Sequence, residues 1–244
     1  MNLAIIQARM GSSRLRGKVL MELYGKPLLE FMYHRVNKSK LIDKIIIATT
    51  TKKTDNPIID LCKKNKIIYY RGSENDVLDR YYEAAKTFKP KNIIRLTADC
   101  PLSDPALIDK TIELFNNKKV DYASNTVPPN LKKYPDGSDV EVFSFKALEL
   151  AWKKAIDKKE REHVTFYFWK SKNSFSTAML DNENDWGKYR ITVDYEEDIK
   201  AVKKIIKIIK SKNQFGSIEE VVKVLEENPE IHNINSMHTY GSNW

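Results

Sequence analysis

Asn2-Leu3-Ala4-Ile5-Ile6-Gln7-Ala8 runs straight into Arg9-Met10-Gly11-Ser12-Ser13-Arg14-Leu15-Arg16-Gly17-Lys18. An apolar run of strand length that gives way to two glycines and four cations reads as a buried strand feeding a ligand-facing loop. Three further apolar runs follow at 44–49, 66–70 and 92–97, and helical patterns fill 27–39, 55–65, 77–88 and 105–118. That alternation predicts βαβ units, hence an α/β fold with a mostly parallel central sheet and helices on both faces. The runs are almost wholly apolar, which suits strands covered on both sides.

The rhythm loosens after residue 120. A strand at 120–124 precedes a loop with Pro128, Pro129, Pro135 and Gly137, then a strand-like run at 138–143. Helices are expected near 145–156 and 160–170, strands at 174–180 and 189–193, and helices near 196–210 and 217–227 before a polar tail. With no repeat, low-complexity tract or linker in view, one domain spanning 1–244 is the expectation.

Forty-two Lys and Arg against 33 Asp and Glu give a net charge of +9, which raises the question of nucleic acid. Over 196–210 the cations answer it. Ile199, Val202, Ile205, Ile206 and Ile209 make one apolar stripe, and Lys200, Lys203, Lys204, Lys207 and Lys210 fill the opposite face. This is the pattern of a packed helix with a solvated lysine face, and no nucleic-acid motif accompanies it. No apolar run approaches the roughly 20 residues of a membrane span, and the N-terminus lacks the form of a signal peptide, so the expected location is cytoplasmic. Cys62 and Cys100 are too few for a disulfide framework. Cys62 falls in a helical pattern and reads as core.

In open parallel sheets, ligands bind beyond the carboxyl ends of the strands, and the unusual polar residues collect there. Successive amides, Arg and Lys in the 9–18 loop can wrap phosphate oxygens, although the loop is neither a Walker A nor a dinucleotide glycine motif. After the third run, Arg71-Gly72-Ser73-Glu74-Asn75-Asp76-Val77-Leu78-Asp79-Arg80 reads as a turn into a helix, with Ser73 or Asp76 as its cap. Thr97-Ala98-Asp99-Cys100-Pro101-Leu102 places Asp99 where the fourth strand gives out, and Pro101 delays the next helix. A carboxylate there suits Mg²⁺, which takes one or two carboxylates plus substrate phosphates. Asp104 reads as a helix cap, and Cys100, which no motif pairs with a histidine, as a spectator. Tyr189-Arg190-Ile191-Thr192-Val193 ends in Asp194, before Tyr195-Glu196-Glu197-Asp198. An acid here either caps the next helix or joins Asp99 around a metal.

These strings, with Ile6–Leu20, Tyr134-Pro135-Asp136-Gly137-Ser138-Asp139-Val140-Glu141-Val142-Phe143 and Arg161-Glu162-His163-Val164-Thr165, resemble the spore coat polysaccharide biosynthesis protein F family. That family is homologous to CMP-KDO synthetase and has a GT-A/Rossmann-like cytidylyltransferase fold. The resemblance runs in order from residue 2 to about 200, with Ser13 where the family usually has Thr and Arg16 where it usually has Pro. It implies a nucleotide-binding half at 1–124, a small acceptor-side and possible dimer subregion at 125–190, and the second metal carboxylate with the C-terminal helices at 191–244. By resemblance Arg14, Lys18, Asp99 and Asp194 are catalytic, and Asp99 and Asp194 hold Mg²⁺. Gln7, Ala8, Arg9, Gly11, Ser12, Ser13, Arg71, Ser73, Asp76, Thr97 and Ala98 contact the nucleotide. Asp136, Asp139, Glu141 and His163 face the acceptor.

The activity so implied is transfer of CMP from CTP to a small acidic acceptor, an acid sugar or phosphorylated metabolite, with release of pyrophosphate, in surface polysaccharide or capsule synthesis. Implied partners are CTP and the acceptor, with neither nucleic acid nor membrane. A homodimer is implied as well, with Tyr240 and Trp244 of the tail as interface candidates. Two other readings compete: a related-fold glycosyltransferase that consumes a nucleotide sugar, and a non-catalytic nucleotide- or nucleic-acid-binding protein that uses the +9 charge.

Overall fold

A computed structural model describes residues 1–126, 133–169 and 175–238. The strands β1 (Asn2–Gln7), β2 (Lys44–Thr50), β3 (Ile68–Gly72), β4 (Asn92–Thr97), β5 (Tyr122–Ser124), β6 (Glu141–Ser144) and β7 (Thr177–Met179) form one sheet. Their order is β3-β2-β1-β4-β6-β5-β7. Every neighbouring pair is parallel except those of β6, which runs antiparallel to both β4 and β5. The α/β, mostly parallel sheet expected from the 2–97 alternation is present.

The helices are α1 (Leu28–Val36), α2 (Asn56–Lys64), α3 (Val77–Lys86), α4 (Pro105–Lys118), α5 (Phe145–Lys154), α6 (Lys158–His163), α7 (Phe166–Trp169), α8 (Glu196–Ser211), α9 (Ile218–Glu227) and α10 (Pro229–His232). Side chains alternate across a strand, and the core divides accordingly. Ala4 and Ile6 pack with α1, α2 and α4, whereas Leu3 and Ile5 pack with α3, α5 and α7. Each such fully buried Leu or Ile contributes roughly 1.5–3 kcal/mol relative to exposure. A third cluster joins Leu15, Leu102, Ile191 and Val193 to the apolar stripe of α8 and to α9, which leaves the lysines of α8 in solvent. Cys62 is fully buried in the α2 side of the core, and burial pushes its thiol up to about 11.

Local departures have local causes. Lys66 closes the end of α2 in the left-handed region (φ 57), so the strand expected from 66 begins at Ile68. The helix expected over 160–170 is two, α6 and α7, separated by Val164 at φ 55. The run 189–193 is no strand and makes a single bridge, Asp136 with Arg190. Its Arg190 side chain is drawn into a buried ion network that fixes the segment by side chains instead. The strands expected at 120–124, 138–143 and 174–180 shorten to β5, β6 and β7. Pro128, Pro129, Tyr240 and Trp244, and with the last two the suggested interface, lie outside the described residues. No helix among the described residues is long and apolar enough to cross a membrane.

Candidate active site

β1, β2 and β3 step outward in one direction, and β4 returns to the other side of β1. This switch point leaves a crevice past the carboxyl ends of β1 and β4, where ligands bind in open α/β sheets. A cleft of about 510 Å³ opens there. Its walls carry six cations, Arg9, Arg14, Lys18, Arg80, Arg95 and Lys158, against four carboxylates, Glu74, Asp99, Glu162 and Asp194. A surplus of donors over carboxylates in a site of this volume suits an anionic small ligand.

The loop after β1 is fastened at both ends. Met10 N donates to buried Asp55, whose other oxygen takes Thr49 Oγ1 and Thr50 N, so the loop is tied to the end of β2. Gly17 N donates back to Met10 O at 3.0 Å with Gly17 at φ 72, and this closure turns Lys18 inward. Lys18 is 7% exposed, and its Nζ lies 3.2 Å from Asp99 Oδ2, 2.8 Å from Asp194 Oδ1 and 2.8 Å from Val193 O. Two carboxylates that are 95 residues apart in sequence numbering therefore converge on one cation position. Burial opposes the Lys18 charge, but Asp99 and Asp194 outweigh it and raise its pKa. Burial likewise opposes ionisation of Asp99, and Lys18 overcomes it and holds that carboxyl at about 2. Arg14 Nη2 reaches Asp194 Oδ1 at 2.8 Å, so that oxygen carries two cations.

Asp194 does not cap α8. Asp198 folds back from the first turn to accept from Asp194 N and Tyr195 N at 2.8 and 2.9 Å, and this leaves the Asp194 carboxylate for the cleft. Behind it, Arg190 reaches Asp198 Oδ1 (2.8 Å), Asp136 Oδ2 (2.5 Å) and Asp194 Oδ2 (3.4 Å). Asp136 and Asp139 lie in this layer under the cleft, not on its wall. Both carboxyls are raised by burial, and for Asp136 the next cause is the charge of Asp139. Gly137 makes the layer possible: at φ +100, a Cβ added there would stand 2.2 Å from Thr192 N. Gly137→Ala is expected to cost more than about 1 kcal/mol of stability and to lower activity as well, checked by urea unfolding and initial rates. An unchanged midpoint would show that the 136–192 contact is not fixed.

Of the residues expected from the sequence, Gln7, Ala8, Arg9, Ser12, Ser13, Arg14, Lys18, Thr97, Ala98, Asp99, His163 and Asp194 line the cleft. Gly11 sits at its edge, where an added Cβ would come 3.7 Å from Glu74 Oε1. Arg71 turns away and donates to Thr50 O and Lys52 O. Ser73 accepts from Asp76 N, and Asp76 caps α3 through Asp79 N while pairing with Arg161 at 2.6 Å. Glu141 is 1% exposed, with one oxygen on Arg95 and the other on Tyr122 OH. It holds a cleft residue instead of facing an acceptor. Cys100 is buried behind Asp99, and burial, then Asp99 and Asp139, push its thiol well above the usual range, so no thiolate forms there. Arg16 is exposed. Glu74, Asn75, Arg80, Arg95, Lys158 and Glu162 also line the cleft and were not expected. Glu74 to Arg80 belong to the string already singled out after β3, so the segment was found but the register on it was not.

A family model described as Cytidylyltransferase matches residues 3–238. The chain belongs to the cytidylyltransferase family. Spore coat polysaccharide biosynthesis protein SpsF of Bacillus subtilis is 34% identical over 93% of this chain and 95% of its own. An uncharacterized protein of Methanocaldococcus jannaschii is 41% identical over 96% of this chain and 94% of its own. Among solved structures, a cytidylyltransferase from Leptospira borgpetersenii superposes with a TM-score of 0.87 at 33% identity, covering 95% of this chain and 96% of that one. Family membership thus rests on nearly the whole chain, and both halves of the site lie within the matched span.

Proposed function

We propose that this cytidylyltransferase transfers CMP from CTP to a small acidic acceptor in surface-polysaccharide synthesis and releases pyrophosphate. The observation that carries the reading is the convergence of Asp99 and Asp194 on one cation position, held here by the Lys18 ammonium, with Arg14 on Asp194 and a cation-rich cleft in front. Two carboxylates so aimed fit Mg²⁺, which completes its shell with phosphate oxygens and water. Asp99 and Asp194 would hold it. When bound, it supplies charge neutralisation at the reacting phosphates.

The chain's own residues do the rest. Arg9, Ser12 and Ser13 line the phosphate side of the cleft, and Lys18 and Arg14 stand ready to balance charge as pyrophosphate leaves. An acceptor carboxylate or phosphate oxygen is already ionised at neutral pH and attacks the α-phosphorus without a base. For a hydroxyl acceptor, His163 on the facing wall is the base within the cleft. Lys158 on the same helix gives an acidic acceptor its counter-charge.

The test is release of pyrophosphate with Mg²⁺ and each of CTP, UTP, ATP and GTP against a panel of acid sugars and phosphorylated metabolites. Acceptor-dependent release from CTP is the expected result. Release of a nucleoside diphosphate from a nucleotide sugar would instead make the chain a glycosyltransferase.

A further inference from the structure

Arg80 is the fourth residue of α3, and its surroundings single it out. It lies on α3, is 2% exposed, and lines the cleft. One terminal nitrogen donates to Ser73 O, while its Nε is buried without a partner. A buried guanidinium N–H left unmade is expensive, so such a group in a folded protein marks a place that something else fills. Around it the cations differ in their partners. Arg14 and Lys18 are bound to Asp194 and Asp99, and Arg95 to Glu141. Neither Arg80 nor its neighbour Arg9 is in an ion pair among the described residues. Burial first, and Arg9 as well, depress the Arg80 guanidinium below its ordinary range, with Tyr81, Asp55 and Glu74 offsetting only part.

The backbone makes room for this arrangement. A Cβ added at Gly72, whose φ is ordinary, would meet Arg80 Cγ at 2.9 Å and Tyr70 Cε1 at 2.8 Å. The last residue of β3 lacks a side chain where the Arg80 stem lies across it.

We infer that Arg80, with Arg9, is a second anion-binding point of the cleft, which takes an oxyanion of the nucleotide's phosphates or of the acidic acceptor. Arg14 and Lys18 are ion-paired to the two carboxylates, whereas Arg80 is in no ion pair among the described residues. The inference rests on the nucleotidyl-transfer reading for the identity of its ligand, but not for the existence of the site.

Calorimetry with inorganic tripolyphosphate, CTP and cytidine on wild type, Arg80→Met, Arg80→Lys and Gly72→Ala tests it. Arg80→Met keeps the stem and removes the fork. It is expected to bind tripolyphosphate and CTP at least tenfold more weakly while cytidine binding holds, and this outcome assigns the nucleotide's phosphates. CTP binding unchanged, with a tenfold higher KM for the acidic acceptor, assigns the acceptor's oxyanion and equally supports the site. Gly72→Ala is expected to reproduce the loss by displacing Arg80 without removing its charge. Arg80→Lys, which keeps the charge, serves where the methionine variant fails to fold and is expected to show a smaller loss. Equal losses for CTP and cytidine, or no change for any ligand and the acceptor, overturn the inference. Tripolyphosphate binding that depends on Arg80 in a protein that turns over no triphosphate would keep the site and remove the nucleotidyl-transfer reading.

Discussion

Asp99→Ala is expected to lower turnover by two to three orders of magnitude, the range seen when one preorganised charge-stabilising group is removed from a reacting centre, while the protein stays folded. The fold survives because the segment does not depend on the carboxylate. Val193 N and Thr192 Oγ1 both donate to the backbone carbonyl of Asp99, at 2.8 and 3.2 Å, and alanine keeps that carbonyl. Lys18 keeps Asp194 and Val193 O, so no buried cation is stranded. What goes is one of the two carboxylates at the shared cation position. The pH dependence carries a second check. Burial works against the Asp99 charge and Lys18 more than compensates, so its folded pKa of about 2 lies below the ordinary carboxyl value. Stability from this group is therefore present above roughly pH 4 and lost as pH falls toward 2. Wild type should lose more stability than Asp99→Ala across that acid window, and any acid limb of activity near pH 5–6 must come from another group. Turnover within tenfold of wild type, measured as pyrophosphate release with matched circular dichroism, would remove Asp99 from the metal and catalytic assignment.

How far the sequence reached depends on where each residue sits relative to its strand. Asp99 and Asp194 were visible because each follows an apolar run at the edge where ligands collect, and Lys18 because it ends a glycine-bearing loop. Arg80 and Arg95 were hidden by the regular elements that carry them. Arg80 lies inside an amphipathic helix pattern where a cation ordinarily faces solvent, and here it lines the cleft because it stands near the start of α3, just past the carboxyl end of β3. Arg95 is the one charge in an apolar strand, and its partner Glu141 comes opposite it only through the antiparallel β4–β6 register. That pairing across 46 positions has no local signature. The same holds for Asp198, which reads as one of three acids in a helix's first turn and proves to be the buried one. Local pattern located the cleft. The second layer beneath it depends on which strands become neighbours, and that follows from the packed fold.

That second layer is where the largest loss of stability is expected. Arg190 is 8% exposed, and its fork meets Asp198 through two nitrogens, at 2.8 and 3.0 Å, while a third reaches Asp136 at 2.5 Å. Burial opposes the guanidinium charge, but the aspartates hold its pKa above the ordinary value. Asp198 is fully buried and also takes Asn235 Nδ2 at 2.8 Å, so the network pins the segment after α10 to the start of α8. Replacing Arg190 with methionine removes every cation from these carboxylates while roughly keeping volume, and breaking a buried pair from one side costs about 3–5 kcal/mol. Arg190→Lys is expected to recover only part of that, because an ammonium cannot reproduce the planar fork. The double variant Arg190→Met/Asp198→Asn separates the strain of a stranded charge from simple loss of contacts. If the stranded carboxylate dominates, neutralising it restores stability relative to Arg190→Met, and the coupling appears in a double-mutant cycle by urea unfolding. Activity should return only in part: an asparagine oxygen can still accept from the backbone amides at 194 and 195, which share Asp198 Oδ2, but its amide nitrogen then faces Asn235 Nδ2, a donor against a donor, and the Arg190 contact to Asp194 Oδ2 stays lost. A loss below about 1 kcal/mol in Arg190→Met, the scale of an exposed pair, would mean that water reaches the network and that Asp194 is held from the cleft side, by Lys18 and Arg14, alone.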